Sequence, residues 1–212
     1  MKKLLLMTLQ VLAFSACTVT IPVQSNLSNQ TLLLAENRNI KANYTLESEV
    51  PNGYITFTSV MKNGSESVYD QAYKYNGATA FSSMWESYVG SKFNSYAKDE
   101  MDIKVVMKKL ELKQNNTTSL GMQALTGNAQ MNVEALGEFY VNIRYHGKTY
   151  QKDIKVAVSD YNESQTGSIG GVTYTSNAVN PTQQKSALLE NCLNRSIVEF
   201  ENFLKSIIQA ES

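Results

Sequence analysis

Apolar side chains recur along this chain with two distinct periods, and each change of period marks an element. Thr31–Leu34 is a short apolar run, and Ala42, Tyr44 and Leu46 alternate with polar neighbours as a half-buried strand does. Residues 54–61 and 67–75 are rich in β-formers and flank Lys62-Asn63-Gly64-Ser65. Asn-Gly between such runs predicts a hairpin with a type I′ turn, which needs positive φ at both central residues. Tyr69, Tyr73 and Tyr75 share one face of the second run. From Thr79 to Lys98 the period lengthens. Phe81, Met84, Trp85, Tyr88, Val89, Phe93 and Tyr96 recur at three- and four-residue steps, predicting a helix capped by Thr79 or Ser83. At that spacing the aromatic stripe is a face packed on a sheet.

The period then returns to two. Ile103, Val105 and Met107 have one parity and Leu110 and Leu112 the other, so a β-bulge between Met107 and Leu110 keeps both sets pointing inward. Between Ala129 and Tyr145 the odd positions are apolar apart from Gly137, and the even positions are mostly polar. A two-residue turn at His146-Gly147 sets Tyr145 opposite Lys148, Ile143 opposite Tyr150, Phe139 opposite Ile154, Ala135 opposite Val158 and Glu138 opposite Lys155. Val141 opposite Lys152 is the pair that fits badly. Residues 160–180 are polar and glycine-bearing, and read as a mobile connector or a partner-binding loop anchored by Tyr161, Ile169, Val172 and Tyr174. The two-residue spacing of Val172 and Tyr174 also allows a short added strand. Asn180 and Pro181 then open a helix to about Ala210, with Leu189, Cys192, Leu193, Ile197, Phe200, Leu204 and Ile207 in its stripe. The predicted fold is α+β: a two-layer arrangement, mainly antiparallel sheet, with two amphipathic helices packed on it.

Before this body lies a different kind of segment. Lys2 and Lys3 precede eleven residues, Leu4–Phe14, interrupted only by Thr8 and Gln10. Crossing a bilayer takes roughly 20 apolar residues, so the stretch is a secretory signal rather than a span. Ser15 and Ala16 supply the small residues of a cleavage site, and Cys17 follows. Phe14-Ser15-Ala16-Cys17 resembles the lipobox of bacterial lipoproteins, with Phe14 where that family usually carries Leu. The resemblance implies cleavage after Ala16, a lipid on the Cys17 sulfur and an acylated amine, and Thr18 in place of Asp implies sorting to an outer membrane. The expected organisation is a signal over 1–16, a lipidated, flexible tether over 17–30 and a single domain over 31–212. In its element order the body resembles the YajG-like and related envelope auxiliary lipoproteins, families that carry little assigned chemistry.

Composition narrows function chiefly by exclusion. Nineteen basic and nineteen acidic side chains cancel, so no global field attracts nucleic acid. Removing residues 1–16 takes Lys2 and Lys3 and no acid, leaving seventeen basic and nineteen acidic side chains, net −2. Two cysteines and one histidine exclude a structural zinc site built from this chain alone, and lipid on Cys17 leaves Cys192 without a disulfide partner. Cys192 falls on an apolar stripe and reads as a buried, inert thiol. His146 falls at a hairpin tip, with Asp153 or Asp160 as the nearest conceivable partners. A cleft around His146 with two acids would instead point to an enzyme. Lys104, Lys108, Lys109 and Lys113 read as a solvated strand face, with anionic headgroups or glycans as the alternative ligand. The expectation is therefore a non-enzymatic lipoprotein of the cell envelope with no cofactor, no metal and no catalytic residue. It would be held at the outer membrane through Cys17, face the periplasm and bind an envelope or protein partner in assembly or transport. A surface-displayed adhesin is the alternative.

Overall fold

The computed structural model describes residues 18–116, 128–169, 172–177 and 181–211. Eight strands form one sheet: β1 (Val19–Thr20), β2 (Lys41–Ser48), β3 (Gly53–Val60), β4 (Glu66–Tyr75), β5 (Glu100–Asn116), β6 (Asn128–Tyr145), β7 (Lys148–Ile169) and β8 (Val172–Asn177). Helix α1 (Asn29–Leu34) is short, while α2 (Gly77–Lys92) and α3 (Pro181–Glu211) carry the apolar stripes. The α+β class is as expected. The sheet is mixed rather than mainly antiparallel: β1–β4, β2–β5 and β3–β5 are parallel, and β3–β4, β5–β6, β6–β7 and β7–β8 antiparallel.

The order across the sheet is β1-β4-β3-β5-β6-β7-β8, with β2 paired to β5 off that path. This works because β5 is long. β2 lies along Glu100–Met107 and β3 along Glu111–Asn115, end to end on one edge, while β6 takes the whole of the other. Pro51, which has no N–H to give a ladder, falls in the break between β2 and β3, and Gly53, at φ 124°, opens β3.

The β6–β7 hairpin has the register read from its side-chain pattern, pair for pair from Tyr145↔Lys148 to Ala135↔Val158. His146 and Gly147 both have positive φ, 49° and 76°, the requirement of a type I′ turn. The β5 bulge falls at Lys108, between Met107↔Phe139 and Lys109↔Glu138, and keeps Met107, Leu110 and Leu112 all buried. Lys152, the misfit opposite Val141, extends its ammonium over the Phe203 ring of α3 at 5.5 Å.

Other expectations need correction. The β3–β4 turn is not type I′, because only Gly64 has positive φ. Gly64 N–H donates to Met61 O and Met61 N–H to Ser65 O, while Asn63 Oδ1 accepts from Ser65 N–H; the loop is a tight turn closed by a left-handed glycine. Helix α2 stops at Lys92, so Phe93 leaves the stripe and Tyr96 stands in solvent. Its cap comes from afar: Asn52 Oδ1 accepts from Thr79 N–H. Thr31–Leu34 is helical, with Ser28 Oγ accepting from Thr31 N–H.

Trp85 and Tyr88 of α2 meet Phe200 of α3 edge-on, and Phe81 stacks at 6.1 Å on Phe139 of β6. These helices cover one face of the sheet, whose other face carries mainly charged and polar side chains such as Asp102, Lys104, Asn142 and Arg144. No helix among the described residues is long and apolar enough to cross a membrane.

Candidate functional site

Cys17 lies outside the described residues, but Thr18, covalently next to it, is placed. The segment expected to be a flexible tether is docked on the body. Thr18 Oγ1 donates to Gln71 O, Val19 and Thr20 pair with Tyr73 and Lys74, and Ile21 N–H donates to Lys74 O at 2.9 Å. Ile21 is completely buried, and Ser186 Oγ of α3 donates to Pro22 O at 2.6 Å. Farther on, Asn194 of α3 uses both ends of its amide. Oδ1 accepts from Ser28 N–H and Thr31 Oγ1, and Nδ2 donates to Asn26 O and Glu190 O. A polar stretch without a period reads as a linker, yet Ile21 and Leu27 pack on the core and the Asn194 amide of α3 satisfies its polar groups.

His146 does have two acidic neighbours, and they are not the ones expected. Nε2 lies 3.3 Å from Asp99 Oδ1 and Nδ1 3.8 Å from Glu211 Oε2, whereas Asp153 pairs with Lys108. Tyr145 OH donates to Asp99 Oδ2 at 2.5 Å, and Lys148 and Tyr150 both donate to Glu211 Oε1. Burial and the Asp99 carboxylate push the Tyr145 hydroxyl up to about 12, and hydrogen bonds from Lys148 and Tyr150 hold Glu211 below the ordinary carboxylate range. The imidazole is half exposed and stacks on Tyr145 with ring centroids 3.8 Å apart. This is a surface cluster joining the hairpin tip, the start of β5 and the last turn of α3. Two cavities lie away from it: a groove of about 430 Å³ between α1, α3 and Val158, and one of about 350 Å³ on the open sheet face near Asp102, Lys104 and Arg144.

Cys192 is fully buried, and burial raises its thiol to about 12, as suits an unreactive side chain. Lys104, Lys108, Lys109 and Lys113 each meet a carboxylate, from Glu47, Asp153, Glu111 and Glu66 respectively. Tyr75 is buried, Tyr73 is half-buried against Phe57, and Tyr69 is 49% exposed. The stretch read as a connector or loop over 160–180 is mostly strand. Tyr161 and Ile169 continue β7, Val172 and Tyr174 belong to β8, and Ile169 pairs with Val172 and Gly167 with Tyr174. Among the described residues, no three or more His, Cys, Asp or Glu side chains converge as metal ligands would.

No family model and no curated protein matches this chain. Among solved structures it is similar to protein XCC0632 from Xanthomonas campestris, of family DUF330, with 8% identity, a TM-score of 0.43 and coverage of 92% of this chain and 99% of that one. An uncharacterized protein gives 7% identity, a TM-score of 0.37 and coverage of 90% and 99%. Likeness at this level carries no functional argument. The residues themselves must supply it.

One buried constellation escaped the sequence reading. Arg38, between α1 and β2, forms a two-bond fork with Glu201 of α3, Nη1 to Oε1 at 2.8 Å and Nη2 to Oε2 at 2.6 Å, and Tyr88 of α2 donates to the same carboxylate. Both charged side chains are at most 5% exposed. No spacing rule pairs residues 163 positions apart; the one available hint was a glutamate next to Phe200 on an apolar helix face.

Proposed function

We propose that this chain is a non-enzymatic lipoprotein of a bacterial cell envelope, fastened to the outer membrane through Cys17. Its folded body would bind an envelope or protein partner in support of assembly or transport. The observation that carries the reading is the order Lys2-Lys3, Leu4–Phe14, Ser15-Ala16-Cys17: a positive start, an apolar stretch too short to span and small residues before a cysteine. More than one acyl chain on one residue gives durable anchoring, where a single chain binds only marginally. Val172 and Tyr174, on the edge strand β8, remain the proposed partner-binding positions together with Tyr161 and Ile169.

Mass spectrometry of the protein purified from its own membranes tests the anchor. Acyl chains on an N-terminal Cys17 are the expected result; a free Cys17 thiol or a retained Met1 would refute it. Protease treatment of intact cells then reports orientation: protection supports a periplasmic body, and loss of the body without lysis indicates surface display.

A further inference from the structure

We propose that the β1–β4 edge of the sheet is the bilayer-facing side of this protein, with Val19, Val68 and Tyr69 at the lipid headgroups and β8 held on the far side. The proposal rests on acylation of Cys17 as set out above. It adds an orientation that acylation alone does not supply.

A free spacer of about 13 residues would let the body stand as much as roughly 45 Å from the bilayer in any attitude. Here the spacer is used up in packing. Thr18 is bonded to Gln71, β1 is laid on Tyr73 and Lys74, and Ile21 is sunk in the core beneath Pro22, which Ser186 holds. Consecutive Cα atoms are about 3.8 Å apart, so the acyl-bearing residue is one peptide unit from an atom bonded to β4. Acyl chains leaving that point bring the headgroup layer to within side-chain reach of β4.

What β4 offers there suits an interface. Val68 is 60% exposed and Tyr69 49%, while Val19 of β1 is 40% exposed. Tyrosine, apolar in body and polar at its tip, is at home at the membrane–water boundary. Glu66 and Asp70, exposed on the same strand, keep the contact at headgroup depth, because carboxylates do not follow apolar side chains into hydrocarbon. Six strand spacings separate β1 from β8, so the opposite edge stands about 30 Å away along the sheet. The strand bearing Val172 and Tyr174 is thereby presented away from the lipid.

The test uses the full-length acylated protein in phosphatidylethanolamine–phosphatidylglycerol vesicles that carry doxyl-labelled lipid. An environment-sensitive fluorophore is placed singly through Val68→Cys, Tyr69→Cys, Lys155→Cys on the open sheet face, or Tyr96→Cys beyond α2. The buried Cys192 does not compete for label. Quenching at 68 and 69 about twofold or more above that at 155 and 96 is expected. Greater quenching at 155 or 96, or equal quenching at all four on vesicle-bound protein, would overturn the orientation while leaving the anchor intact. Unchanged vesicle binding by Cys17→Ser would overturn the anchor itself, and the orientation with it.

Discussion

Cys192 shows how one side chain can settle a chemical question. Its sulfur lies on the sheet-facing side of α3, close enough to Gly137 that a Cβ there would come within 2.8 Å of it and within 2.7 Å of the Phe139 ring. The gap in the alternation of β6 therefore has a cause: the helix needs that space, and only glycine leaves it. Because burial raises the folded-state thiol from about 9 to about 12, the proton stays on Cys192 at pH values where the unfolded chain releases it. Its stabilising contribution is complete below about pH 9 and declines above it, by at most about 1.4 kcal/mol per pH unit, until the folded thiol itself ionises near 12. Denaturant titrations from pH 7 to 10 should show this alkaline decline in the native protein and a shallower one in Cys192→Ala. Native protein should also react with thiol reagents only at the rate of unfolding; immediate labelling would refute the buried assignment.

Elements with strong local rules were legible from residues alone. The β6–β7 register follows from alternation and from Asn142, Arg144 and Glu138 needing solvent, because a slip of one residue would exchange the two faces. The bulge at Lys108 was legible for the same reason, as a change of parity with no change of burial. Failures occurred where partners came from elsewhere. Asn52 supplied the cap of α2, and β1 exists only because β4 offers an unpaired edge, whereas the Asn63-Gly64 turn departed from type I′ through its own local hydrogen bonds. Strand β1 makes a prediction. Ile21→Ala should cost about 2–4 kcal/mol in chemical denaturation, as for other fully buried isoleucines, and Val23→Ala much less. Equal, negligible effects would mean that the segment is a tether after all.

At the level of the molecule, the Arg38–Glu201 fork joins the strap before β2 to the far half of α3, with α2 attached through Tyr88. Two ions removed from water gain little over a well-packed apolar pair, but each is costly to leave alone. Arg38→Met and Glu201→Leu should each destabilise by about 3–5 kcal/mol, and the double variant by clearly less than their sum. Additive losses in a double-mutant cycle would show that the two side chains do not act as a pair. With the docked N-terminal segment and the Asn194 amide, this fork ties the first third of the chain to its last helix.

Periods of two and of three to four residues and the signals of turns are local, and the chain's own residues were enough to yield the α+β class, the two main helices and the long hairpin with its register. Parallel pairings, the packing of β1, the extension of β7 as far as Ile169 and the buried ion pair were beyond that reach. Each depends on contact between residues far apart in the chain, where the free energy of burial or of an unmet hydrogen bond outweighs local preference and leaves no repeat in the sequence to read.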